Sequence, residues 1–399
     1  MPHAARRLHL MALIAALPFV GMPGSARGGT TLYVDNKGTD GPATCGTKAA
    51  PCRSISQAIA NAQLDDTILV GAGRYGDLND DGSFDDPGDE AAEVDTGCDC
   101  MLKIDKRVSL FSLSGAGVTV LDAAGASIAV VHVAAASVTV GAPGRGFLLV
   151  GSGDSAGLRS AANAAVVVGN RAIDNGEQGF DLDGNLHLVA GNRAIGNSGV
   201  GFELGGIGNT VLENAALYNE VGFETFDGPN LVQSNLASGN EIGVRAGGSG
   251  ATFVANVASG NSGIGWVLRV ASAGFMLRGN LVQGNGSQGL LISGSSHVLT
   301  GNSIVGNRLS GVLVLSGASA ISVEQGNLFG NNDALDLGMR NCGVFNLSMG
   351  NVLALENFWG TPSGPGGDPG DTVCNGVFSS IEFGPVAAKE FKVKAEAAR

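Results

Sequence analysis

Charged side chains are scarce in this chain of 399 residues, at 15% of the total, and aromatic ones are scarcer still at 5%. Long amphipathic helices need a charged face opposite an apolar one, so few are expected. Positive charge is the rarer sign: 23 Lys and Arg against 36 Asp and Glu leave a formal net charge of −13. That balance repels nucleic acid and anionic membrane surfaces and leaves room for bound cations. No apolar run after the N-terminus is long enough to cross a bilayer, which excludes membrane insertion by a helix. Cysteine–histidine zinc spacing is missing too. What is plentiful is glycine, 65 residues, with 44% apolar residues. Many short strands joined by turns, sharing one large core, follow from that composition.

The first residues read as an export signal: Arg6 and Arg7, an apolar stretch from Leu8 to Val20, and the small residues Gly24-Ser25-Ala26. Residues 1–26 are expected to be a signal peptide, with the product secreted, periplasmic or on the cell surface. The six cysteines then meet an oxidising medium and are expected to form disulfides, Cys45 with Cys52 and Cys342 with Cys374. Cys98 and Cys100 are one residue apart, a spacing whose direct bridge is strained, so their partners stay open.

Asparagine returns on a beat through the second half of the chain. It stands at Asn170, Asn192, Asn214, Asn235, Asn256, Asn280, Asn302, Asn327 and Asn351. A second column follows five residues behind, at Asn175, Asn197, Asn219, Asn240, Asn261, Asn285, Asn307 and Asn332. One period contains three short apolar segments, for example Arg193-Ala-Ile195, Gly201-Phe-Glu-Leu204 and Thr210-Val-Leu212, separated by turns. Segments this short cannot pair within their own period and must pair with the matching segments of the next. Like residues then stack. Ala172, Ala194, Ala216, Ala237, Ala258, Val282, Ile304 and Phe329 form one inward file, and Phe180, Phe202, Phe223, Val244, Trp266, Leu290 and Val312 form another. Asparagine suits the corners because it tolerates a left-handed backbone and its amide can bond to the same amide one period away.

These repeats, typified by Gly191-Asn-Arg-Ala-Ile-Gly-Asn197 followed by Gly201-Phe-Glu-Leu204, resemble the right-handed parallel β-helix proteins of the pectate-lyase-like superfamily. The fold class is therefore all-β, a single-stranded right-handed parallel β-helix with a short N-terminal capping helix. The opening Leu32-Tyr-Val-Asp35, Ala50-Pro-Cys-Arg-Ser-Ile-Ser-Gln-Ala-Ile59, Asp65-Asp-Thr-Ile-Leu-Val70 and Gly73-Arg-Tyr75 resembles the strand, helix and strand that start many secreted members. Ser54 is the expected N-cap, with Ile55, Ala58, Ile59 and Ala62 sealing the first coil. The expected division is a strand and helical cap over 27–76, an acidic insertion over 77–100, the β-helix over 101–385 and a frayed tail over 386–399. Trp359, in Asn357-Phe-Trp-Gly360, is expected to cover the far end of the core.

Alternation places the residue after each core aromatic on the outer face: Asp181, Glu203, Glu224 and Arg245, then Val267, Leu291 and Leu313. Rungs lie about 4.8 Å apart, so unpaired carboxylates in such a file repel and push a pKa upward unless a cation intervenes. The resemblance implies polyuronate lyase chemistry, with Asp181, Glu203 and Glu224 holding calcium and Arg245 as base or clamp; solvation alone also accounts for acids on an outer face. The insertion Asp77-Leu-Asn-Asp-Asp-Gly82 begins like a calcium loop, which makes Asp77, Asn79, Asp81, Asp85 and Asp89 candidate ligands. His132, His187 and His297 are expected at the surface. With no Met-rich or His-rich tract, the copper-related periplasmic members are disfavoured. The expected function is binding or presentation to extracellular polysaccharide without catalysis; the alternative is a calcium-dependent acidic-polysaccharide lyase or related glycan-modifying enzyme.

Overall fold

The computed structural model describes residues 29–393, apart from 80, 96, 332–336 and 368–369. The expected signal peptide, Asn332 and the last six residues lie outside these. The chain coils as the repeats require. Strands Arg193–Ile195, Val200–Leu204 and Thr210–Leu212 make one coil, and Ala215–Leu217, Val221–Thr225 and Leu231–Gln233 make the next. Each pairs parallel with its counterpart, Ala194 with Ala216, Phe202 with Phe223 and Val211 with Val232. Stacking builds three sheets of 14, 12 and 11 strands around a single core. The architecture is a right-handed parallel β-helix with one short helix.

Both inward files form. Ala172, Ala194 and Ala216 are fully buried, as are Phe180, Phe202 and Trp266. Phe180, Phe202 and Phe223 stack with ring centroids 4.9 Å apart, each pair contributing about 1 kcal/mol beyond its buried area. In the last coil the register pairs Ile304 with Leu328, so Leu328 points inward and Phe329, the expected residue, is only half-buried.

The asparagine columns are ladders. Asn214 Oδ1 accepts both the backbone N–H of Asn192 at 2.9 Å and its side-chain amide at 3.0 Å. The Asn214 amide donates in turn to Val189 O and to Asn235 Oδ1. The left-handed residue is not the asparagine but the one before it: Gly191, Glu213, Ser234 and Ala255 all have φ between 53° and 62°. That residue makes the corner, and the asparagine turns inward to satisfy the backbone groups the corner exposes. The ladders end differently from the sequence pattern. Asn331, one residue before the expected Asn332, bonds Asn307. Asn327 is one residue late, since Gly326 occupies the rung and donates to Asn357 Oδ1. Asn351 lies in a strand of the 14-stranded sheet instead.

At the N-terminal end, helix α1 (Ile55–Asn61) buries Ile55, Ala58 and Ile59, and the Ser54 hydroxyl accepts from Gln57 N at 3.1 Å. The helix also has a distant cap. The buried Glu90 carboxylate accepts from Ile55 N at 2.8 Å and from both Ser56 N and its hydroxyl. Burial nevertheless raises the Glu90 pKa to about 7, against those hydrogen bonds. At the other end Trp359 is fully buried in the core. Between Pro385 and Phe391 the expected frayed tail is held: Ala387 N donates to Asn357 O, and the Asn327 amide exchanges two 2.8 Å bonds with the Phe391 backbone.

The disulfides are Cys45–Cys52, Cys342–Cys374 and Cys98–Cys100. The last pairs two residues whose partners the sequence leaves open. His187 and His297 are buried rather than superficial, at 1% and 0% exposure. Each takes a rung of the third corner, where Asn209 and Asn230 also stand: His187 Nδ1 accepts from Ala165 N and His297 Nδ1 from Phe275 N.

Candidate functional site

The outer face of the 12-stranded sheet carries an ordered file of charge. Register aligns Lys103, His132, Arg159, Asp181, Glu203, Glu224 and Arg245 on successive rungs, followed by Val267, Leu291 and Leu313. The four expected site residues therefore stand together, but their environments differ. Asp181 is partly buried, and desolvation, then Asp183 and Glu203, push its carboxyl up to about 7. Glu203 is also raised by burial, although Gln178 Nε2 donates to it at 3.0 Å.

Glu224 is not on the open surface. It is 2% exposed, held between Arg245 Nη1 at 3.1 Å and Arg269 Nη2 at 2.7 Å. Two guanidiniums on one carboxylate offset the cost of burying it and leave the cluster with a net positive charge. Arg269 also lies over the Phe226 ring, 5.3 Å from its centroid. Sequence alternation located Glu224 and Arg245 but missed Arg269, Phe226 and Gln178, which come from the turns flanking the sheet. Arg159 was missed as well, though the same register that found Asp181 reaches it one coil earlier; its Nη2 donates to Cys98 O.

The turns leave this face open. In the coil containing Glu224 they comprise residues 218–220, 226–230 and 234–235, too short to wall a cleft.

In the acidic insertion, Asp77 is fully buried and its Oδ2 accepts from Gly82 N at 2.8 Å, with Gly82 in a left-handed conformation at φ 87°. Asn79 donates to Asp81 and Asp86. Asp81 accepts from Ser83 N, which with Asn79 draws its pKa down, and Asp85 accepts from the Ser83 hydroxyl. Asp77, Asn79, Asp81 and Asp85 are oxygen donors of the kind a hard cation takes. Asp89 differs, because its two oxygens accept from Leu78 N and Asp86 N and close the loop. Among the described residues, no three of these carboxylates bring oxygens within 4.8 Å of one another. The group that does so, Asp40 with Cys45 and Cys52, has its sulfurs in a disulfide.

Stacked parallel coils with three sheets and laddered corners give the chain the fold of the right-handed parallel β-helix proteins. Among solved structures, it is similar to the A-module of the Azotobacter vinelandii mannuronan C-5 epimerase AlgE6, at 14% identity and TM-score 0.57 over 82% of this chain and 92% of that one. The A-module of AlgE4 from the same organism is similar at 14% identity and TM-score 0.55, over 89% and 100% of the two chains. Pectate lyase Pel9A follows at 14% identity and TM-score 0.38, over 93% and 81%. A family model described as periplasmic copper-binding protein (NosD) matches residues 225–364. Comparison with curated proteins returns no match.

Of the side chains in the matched span that copper takes, the histidine and the cysteine are already engaged, while the thioethers of Met276, Met339 and Met349 are exposed. The histidine, His297, is buried with Nδ1 on Phe275 N and Nε2 3.1 Å from the Ser272 hydroxyl, and the cysteine, Cys342, is in a disulfide. No helix among the described residues is long and apolar enough to cross a membrane.

Proposed function

We propose that the protein is exported and grips an extracellular polysaccharide on the outer face of its 12-stranded sheet, without catalysis. The observation that carries this is the pair Asp181 and Glu203: two adjacent, partly buried carboxyls, while the ion pairs on this face fall on Glu93 and Glu224. A carboxyl pushed up to about 7, as that of Asp181 is, both donates and accepts hydrogen bonds near neutral pH, which suits sugar hydroxyls. The short turns favour an open binding face over a cleft that excludes water. A glycan array followed by calorimetry tests this. Asp181→Ala and Glu203→Ala should each weaken the best ligand by roughly tenfold, about 1.4 kcal/mol; full affinity in both variants, or no ligand at all, would sink the reading.

A second reading has one observation in its favour. A carboxyl titrating near 7, as Asp181 does, is poised for proton transfer, so Asp181 and Glu203 are the candidate groups of a calcium-dependent lyase or related modifying enzyme. In that case Arg245 and Glu224 position the neighbouring rungs, since they are already paired to each other. Polyuronates incubated with the protein and calcium should then gain absorbance from unsaturated ends, and Asp181→Asn should abolish the gain.

Calcium belongs to this reading in the acidic insertion as well, ordering the segment through Asp77, Asn79, Asp81 and Asp85, with Asp89 fixing the turn. Chelation should expose residues 77–93 to proteolysis while the coils stay intact. Equal cleavage with and without chelator would remove calcium from the account.

A further inference from the structure

One turn of the prism breaks its own rule. The residue before each asparagine of the second column has a left-handed backbone, and it is glycine at Gly196, Gly239, Gly260, Gly284, Gly306 and Gly330. Asp174 is one exception, and a short polar side chain tolerates that conformation. Tyr218 is the other, with φ 58°. A bulky residue held there costs stability that glycine would not, so its presence calls for a use.

The side chain is placed for one. Tyr218 is 71% exposed. Its ring occupies the space beside the next corner, where a Cβ on Gly239 would come within 2.6 Å of Cε1 and 2.7 Å of Cδ1. The ring is thus braced against the following coil and presents the rest of its surface to solvent. At the opposite corner of the same strand stands Phe226, 37% exposed, under the Arg269 guanidinium. Among the described residues, the other large exposed aromatics are Phe378 and Phe383, near the end of the stack. The two mid-prism aromatics therefore bracket a single coil, the one that carries Glu224, directly beside Glu203.

We infer that Tyr218 is a stacking platform for a pyranose ring, and that the glycan lies across the sheet from Tyr218 over the carboxyl file to the Arg269–Phe226 corner. This rests on the binding function proposed above and adds its orientation and ligand class. An aromatic face takes the apolar C–H face of a sugar. The Arg269 guanidinium, with its plane fixed by Phe226 and its charge shared with Arg245 over one carboxylate, takes an anionic substituent. The eight steps from Tyr218 to Phe226 span at most about 29 Å, room for a few sugar units, and the fitting ligand is an acidic oligosaccharide.

The test separates this idea from the function it rests on. Tyr218→Gly restores the corner's usual residue, so its melting temperature should rise by about 2 °C. Its affinity for an acidic oligosaccharide, measured by calorimetry with purified oligouronates, should fall by at least about tenfold, while Tyr218→Phe keeps both wild-type values. Wild-type protein that binds while Tyr218→Gly binds within twofold would overturn the platform and leave the binding face standing. Wild-type protein that binds no acidic oligosaccharide would overturn both. A Tyr218→Gly variant that loses affinity and stability together would show a structural tyrosine and overturn the platform.

Discussion

An asparagine amide offers two donors and an acceptor with two lone pairs, and at the corners of this prism all of them are used. Asn214 is typical: removing its side chain leaves the Asn192 N–H without an acceptor, takes one of the two acceptors of the Asn192 amide and removes a donor from Val189 O, all inside the core. Buried groups left in this way cost about 1–3 kcal/mol each, so Asn214→Ala should lower stability by roughly 3–5 kcal/mol in urea denaturation. Asn163 makes the same bonds to Asn185 on an exposed corner, where water replaces them, and Asn163→Ala should cost under about 1 kcal/mol. Equal losses would refute the ladder's share in stability. His187 and His297 occupy rungs of a similar ladder through Nδ1, which accepts only when it carries no proton. Burial depresses both pKa values, that of His297 to about 4. Below about 6.5 the unfolded chain takes up protons that the folded one refuses. Their contribution is therefore complete above that pH and lost as pH falls toward 4. His297→Asn supplies an acceptor that does not titrate, as Asn209 and Asn230 already do in this column, and should flatten the acid side of the stability profile. An unchanged slope between pH 6.5 and 4 would count against it.

Strands of three to five residues are specified less by propensity than by what their neighbours leave room for. The glycine at or just before the start of most strands of the 12-stranded sheet shows this. A Cβ on Gly201 would lie 2.7 Å from Gly222 O, 2.9 Å from the Asn219 amide and 3.0 Å from Ala216 Cβ. None of these can yield without disturbing the ladder. Gly201→Ala should therefore cost about 2–3 kcal/mol. Gly260→Ala meets open space and only a left-handed φ of 61°, a conformation Ala255 already adopts nearby, and should cost about 1 kcal/mol. Thermal melts of the pair, with Gly260→Ala the more harmful, would contradict this. The strands, their order and their inward files were legible in the sequence because each coil repeats the same steric demand, so a position reads the same eight times over. Features that depend on one turn were not legible. Alternation puts Glu224 outside, and so it is, yet Arg269 from the next turn covers it. The histidines read as surface residues because nothing in a single sequence distinguishes an imidazole that replaces an asparagine rung from one in water.

As a whole the molecule is a stack in which each coil touches mainly the coils above and below, so stability is close to a sum of neighbour terms and is weakest where neighbours run out. The ends are where the sequence misled most. Composition suggested a loose basic tail after Pro385, but residues 386–391 fold back along the last coils and lend them the partners that a further coil would have supplied. Ala387 reaches Asn357, and Phe391 pairs with the Asn327 side chain. Asn327 has left its ladder by one residue, and so it is free to do this: the phase slip that the repeat pattern did not foresee is what anchors the strap. Truncation after Pro385 removes these bonds, together with the packing of Val386 against the core. Amide exchange should then quicken in Asn327–Phe329 and around Asn357, where the strap is bonded. It should stay at its wild-type rate from Ala215–Leu217 down to the capping helix, because a stack transmits the loss of an end rung only to its nearest neighbours. Faster exchange throughout would mean that the coils unfold as one unit, and unchanged exchange at the end would mean that the Cys342–Cys374 bridge and Trp359 already suffice to close the stack.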